Sequence, residues 1–68
     1  MVAIKWTNKY SGESGFVGSV ASKEKHFVNT FDQAEAKQYK SQIAAKRAIT
    51  LLQAYGEGEN NEFEIVPV

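Results

Sequence analysis

The sequence predicts an α+β fold, an antiparallel sheet of three or four strands with one helix packed on a face, in the order β-β-(β)-α-β. Three observations predict it. Apolar residues alternate with polar ones near both ends of the chain, at Val2, Ile4 and Trp6 and again at Phe63 and Ile65, the period of two that a strand with one buried face requires. A single stretch, Ser41 to Tyr55, carries instead the 3.6-residue period of an amphipathic helix. Clusters of glycine and small polar residues punctuate the rest.

Taken in order, Val2, Ile4 and Trp6 form the buried side of the first strand, with Ala3, Lys5 and Thr7 on the other. The segment Asn8-Lys9-Tyr10-Ser11-Gly12-Glu13-Ser14-Gly15 reads as a long hairpin loop before a second strand at Phe16–Val20, and Gly12, Gly15 and Gly18 fit that loop and a bulge. A polar turn from Ala21 to His26 leads to a short third strand at His26–Asn29. Asp32 followed three residues later by Glu35 has capping-box character. A single helical turn there, then a short extended piece at Gln38–Lys40, is the expected path; a helix unbroken from Asp32 to Tyr55 is the alternative.

Ser41 is the expected helix start, because its hydroxyl can accept from a free amide of the first turn. At about 100° per residue, Ala44, Ala45, Ala48, Leu51, Leu52 and Tyr55 share one face, and Gln42, Lys46, Thr50 and Gln53 the other. The alanines let such a helix lie close to a sheet. Gly56 can take the left-handed conformation that ends a helix. After a polar loop, Phe63 and Ile65 mark the last strand, whose Pro67 places it at a sheet edge or beyond one, since proline has no amide to donate. The expected core is Ile4, Trp6, Phe16, Val20, Ala48, Leu52, Tyr55, Phe63 and Ile65, with Phe27 and Phe31 joining it.

Sixty-eight residues make one small domain, and a chain this short removes only about 60% of its unfolded surface from water. With 43% hydrophobic residues, eight aromatics and one proline, it has the composition of a folded chain. It contains no cysteine, so hydrophobic packing or self-association must supply stability without disulfides or a thiolate zinc site. The opening residues show no basic leader followed by an apolar run, and no segment approaches the roughly 18 apolar residues of a membrane span. A cytoplasmic protein without membrane contact is expected.

Net charge is zero, with eight basic and eight acidic residues, which argues against the cationic field of a strong non-specific nucleic-acid binder. The distribution is uneven. Residues 1–56 hold all eight Lys and Arg against four carboxylates, a balance of +4, and residues 57–68 hold the other four carboxylates and no base, a balance of −4. An acidic strand paired with a lysine-bearing neighbour gives this pattern, and a polarised binding surface is the alternative.

Catalytic residue patterns are sparse. His26 is the only histidine and has no sequence-local carboxylate partner, as expected of a surface residue. The glycines of Ser11 to Ser19 are spaced neither as a dinucleotide fingerprint nor as a P-loop. Glu57, Glu59, Asn60 and Asn61 do not match a calcium loop and read as solvated. No enzyme activity, cofactor or metal is expected. The strongest candidate is an interaction surface at Lys37, Lys40, Gln42, Lys46, Arg47 and Thr50, where Lys46 and Arg47 flank the exposed side of the helix. Its expected use is protein binding, together with an unpaired sheet face or edge; the alternative is nucleic acid, with Gln42, Lys46, Thr50 and Gln53 facing a groove and Lys37 and Lys40 touching phosphates. The plainer reading, which the broken stripe of Lys46 and Arg47 favours, is that these polar residues only keep a sheet-packing helix soluble.

The strand opening Ala3-Ile4-Lys5-Trp6, the glycine-rich hairpin, the segment from Glu35 to Ile49 and the final strand Asn61 to Val68 together resemble small proteins encoded by phages and prophages of Gram-positive bacteria. The resemblance rests on packing motifs and covers most of the chain. It implies a small accessory or modulating protein that acts by binding a host or phage macromolecule, and it carries over no catalytic residue.

Overall fold

A computed structural model describes all 68 residues, Met1–Val68. Four strands, β1 (Val2–Asn8), β2 (Ser14–Ala21), β3 (His26–Thr30) and β4 (Asn61–Pro67), and one helix, α1 (Gln42–Ala54), follow in the order β1-β2-β3-α1-β4. Single 3-10 turns lie at Gln33–Glu35 and Glu57–Glu59. The sheet order is β3-β2-β1-β4, antiparallel throughout. The α+β expectation holds with four strands, and β4, with its Pro67, is an edge strand.

Register decides what each face carries. Along β1 and β4, Ile4 opposes Ile65 and Trp6 opposes Phe63, while Lys5 opposes Glu64 and Thr7 opposes Glu62. Because strand side chains alternate, the apolar pairs share one face and the charged pairs the other. The acidic end of the sequence therefore lies beside Lys5, as its charge distribution implied. Across β1 and β2, Trp6 opposes Gly15 and Lys5 opposes Phe16.

That last pairing corrects the expected core. Phe16 lies on the face of Lys5, half-buried, and Val17 takes its place in the core with no exposed surface. The cause is a register shift between Val17 and Ser19, where Gly18 is the extra residue of a bulge. Val17 and Val20, three residues apart, thereby face the same way. Plain alternation backwards from Val20 selects Phe16.

Trp6 anchors the core at 4% exposure. Its ring lies so close over Gly15 that a Cβ at that position would stand 2.8 Å from Trp6 Cζ2, and its Nε1 donates to the Phe16 carbonyl at 3.2 Å. Phe27 and Phe63 meet edge to face at 5.7 Å, and Phe27 lies 6.3 Å from Trp6. Phe27 is thus in the core as expected, but Phe31 is not: its ring touches Trp6 from outside, edge-on at 5.9 Å, and is 65% exposed.

Between β3 and α1 the chain takes one short turn and one extended step. The Asp32 carboxylate accepts from the Ala34 amide at 2.9 Å and caps only the turn Gln33–Glu35. Tyr39 then bridges to β1: the Val2 amide donates to the Tyr39 carbonyl at 2.9 Å, and the Tyr39 amide to the Val2 carbonyl at 2.7 Å. Beyond the bulge β2 no longer pairs with β1, and this segment takes the position, tied also by the Lys37 amide donating to the Val17 carbonyl at 3.0 Å. An unbroken helix from Asp32 is excluded.

The Ser41 hydroxyl accepts from the Ala44 amide at 3.2 Å and starts α1. Among the strands, the helix packs chiefly against β1 and β4, and it also packs on the turn Glu57–Glu59. Ala45 and Leu52 are fully buried, and Ala48, Ile49 and Tyr55 pack around them. Leu51, expected on this face, is 41% exposed, because Ala45 and Leu52 centre the packed arc and Leu51 stands about 100° from Leu52. Ile49 fills the other flank. Gly56 ends the helix at φ +90°, a backbone conformation that a side chain would strain.

Candidate interaction surface

All six residues singled out in the sequence, Lys37, Lys40, Gln42, Lys46, Arg47 and Thr50, are exposed. They do not form one patch of uniform chemistry. Lys37 and Lys40 belong to the extended segment bridged to Val2, not to the helix. The Lys37 ammonium stands 5.5 Å from the centroid of the Tyr39 ring, a cation–π contact that draws it back onto its own chain. Thr50 Oγ1 donates to the Lys46 carbonyl at 3.0 Å, so its one proton is spent within the helix.

What the helix adds is apolar. Ile43 is 66% exposed and Leu51 41%, and with Arg47 they form one row at intervals of four residues, hence on neighbouring turns of one side. Lys46 stands about 100° from Arg47, with Ile43 and Thr50 between the two directions. Sequence reasoning missed Ile43. The signal was present: an isoleucine one turn before Arg47 and well off the arc of Ala45 and Leu52.

The other candidates are accounted for locally. His26 is exposed, with Nδ1 3.1 Å from the Phe27 carbonyl. The turn holding Glu57 and Glu59 is tied to the sheet, since Lys9 Nζ donates to the Gly58 carbonyl at 2.9 Å and Asn61 Nδ2 to the Glu57 carbonyl at 3.2 Å. Burial pushes the Tyr39 phenol above its ordinary value, and the hydroxyl oxygen is buried without a hydrogen-bond partner. The surface carries no pocket, and no three His, Asp or Glu side chains are grouped to hold a metal ion. No helix is long and apolar enough to cross a membrane.

Comparison with protein-family models, characterised proteins and solved structures finds no match to this chain.

Proposed function

We propose that the protein is a non-enzymatic cytoplasmic binding module whose ligand is another protein, held against the outer side of α1. The row Ile43, Arg47, Leu51 carries this reading. Two exposed aliphatic side chains around an arginine, with Lys46 and Thr50 alongside, have the composition of an interface patch, in which an apolar centre is bounded by polar groups and arginine is favoured over lysine. A duplex-reading helix needs basic or amide side chains turned together toward the groove, and here Ile43 stands between the two bases. The resemblance to small phage- and prophage-encoded proteins implies the same kind of role.

Affinity capture from the source cell, with cross-linking, tests the proposal using two variant pairs. Ile43→Ser with Leu51→Ser should abolish recovery of the partner while the chain stays folded, with a modest fall in thermal stability from the partly covered Leu51. Lys46→Gln with Arg47→Gln should alter the salt dependence of association and also spare stability, exposed charges contributing little to folding. Recovery of no specific protein would count against the reading. So would duplex DNA binding whose logarithmic salt slope, roughly −0.9 per neutralised phosphate, flattens in the Lys46 and Arg47 pair alone.

A further inference from the structure

The geometry points to a second binding site at the free edge of β4, one that accepts an extended polypeptide segment with Lys or Arg at alternate positions and apolar residues between them. It rests on the protein-binding reading only in taking polypeptide as the ligand.

The phase of the β1–β4 ladder fixes which backbone groups of β4 are free. Val2 gives both its N–H and its carbonyl to Tyr39, on the side away from β4, so Val2 and Pro67 are a pair without mutual hydrogen bonds. Antiparallel pairs alternate between bonded and non-bonded. Ala3–Val66, Lys5–Glu64 and Thr7–Glu62 are therefore the bonded pairs of this register. The Val68 amide, donating to the Met1 carbonyl at 3.2 Å, keeps the same phase. Phe63 and Ile65, in the non-bonded pairs, turn their N–H and carbonyl groups outward along an edge that no other strand occupies.

Protected edges are short, bulged, charged (above all with lysine) or carry proline. The opposite edge, β3, has five residues and pairs with β2 across the bulge. By contrast β4 runs seven residues in continuous register with β1, its one proline confined to the last position, and its charges are acidic, which repel a second copy but not a basic strand. Its exposed side chains on the helix-free face are Glu62 and Glu64. Two β4 strands paired antiparallel would set these carboxylates against those of the second copy, which is destabilising. A strand with basic residues at those positions gains instead. On the other face Phe63 and Ile65 are half-buried and favour apolar neighbours. The strand already paired with β4 has this pattern: Lys5 opposes Glu64, between Ile4 and Trp6, which oppose Ile65 and Phe63.

The test uses the full chain and two end-capped synthetic peptides, Lys-Val-Lys-Val-Lys and Glu-Val-Glu-Val-Glu, read by residue-resolved amide hydrogen exchange. In the free protein the Phe63 and Ile65 amides should exchange freely while those of Glu62, Glu64 and Val66 are protected. The lysine peptide should slow Phe63 and Ile65 selectively and bind about tenfold tighter than the glutamate peptide, the effect of exchanging two opposite-charge cross-strand pairs for like-charge ones. Glu62→Lys with Glu64→Lys should reverse the order, and the two-peptide comparison on the unaltered chain needs no variant. Four results would overturn the inference: Phe63 and Ile65 amides already protected in the dilute protein, no response at saturating peptide, equal affinity for both peptides, or protection that rises with protein concentration alone. The helix-face pair Ile43→Ser and Leu51→Ser should leave the peptide response intact, so loss of partner capture and loss of edge binding are separately visible.

Discussion

Tyr39→Phe should stabilise the protein, although it removes a polar group from a position at the centre of the fold's connectivity. The ring packs against the core cluster, the backbone makes both bonds to Val2, and the Lys37 ammonium lies 5.5 Å from the ring centroid. Phenylalanine keeps all three. What it loses is a hydroxyl buried without a partner, a group whose desolvation costs about 1–3 kcal/mol. Against that stands the small void left by one oxygen, on the order of 1 kcal/mol at most. A net gain of about 1 kcal/mol follows, which for a domain of this size raises Tm by about 4–8 °C. Urea denaturation at neutral pH measures it directly. A loss of stability would mean that the hydroxyl is satisfied and that Tyr39 is held by it.

The same substitution has a pH signature whose sign is fixed by burial. Desolvation raises the folded-state pKa of Tyr39 above its ordinary value of 10.0, so the folded chain holds this proton more tightly than the unfolded one. The stability associated with it is fully present below about pH 10 and is lost as pH rises through the folded pKa. Tyr39→Phe has no such loss. Its advantage over the natural chain should widen as denaturation is repeated above pH ~10, while the other titrating groups cancel in the comparison. A constant difference would refute the burial of the phenol.

Two further substitutions test the packing. Leu52→Ala, at a fully buried position, should cost about 2–5 kcal/mol, comparable to the whole stability of so short a chain; unchanged thermal unfolding would refute the docking of α1 on β1 and β4. Gly15→Ala would place its Cβ 2.8 Å from Trp6 Cζ2 and 3.0 Å from the Thr30 carbonyl oxygen, so it should cost about 1–3 kcal/mol and shift the tryptophan emission. Natural stability and emission in that variant would show that the indole does not lie over Gly15.

The fold was legible wherever a local signal stood alone. Ser41, Gly56 and Pro67 each announce a boundary through one backbone requirement, an amide to cap, a left-handed φ or a missing donor, and the helix start, the helix end and the edge strand stand where those requirements put them. The errors arise where two signals compete. Phe16 and Val17 are both apolar and adjacent, and only the bulge at Gly18 decides which is inward. Phe31 and Leu51 are large and apolar, yet the arcs that reach the core were already filled, by Phe27 beside Trp6 and by Ala45 and Leu52 on the helix. The basic residues of the candidate surface were legible as exposed. Ile43 among them was not, because a helical period read for its buried face gives no weight to an apolar residue outside it.

Side-chain alternation and backbone alternation are separate facts about a strand, and only the first is written in the sequence. Glu62 and Glu64 against Phe63 and Ile65 declare which side chains share a face of β4, whatever its partner. Which amides and carbonyls of β4 are free depends on the phase of its bonding to β1. That phase is visible at both ends of β1: Val2 bonds Tyr39, a residue 37 positions away on the extended segment that follows the turn capped by Asp32, and the Lys9 amide donates to the Asn60 carbonyl at 2.8 Å. A helix unbroken from Asp32 would leave Tyr39 inside a helix and Val2 without that partner. The short turn at Gln33–Glu35 thus reaches beyond its own neighbourhood: it lets Tyr39 take up the Val2 groups that face away from β4, in the same phase that leaves the outward groups of β4 at Phe63 and Ile65, beside the two glutamates.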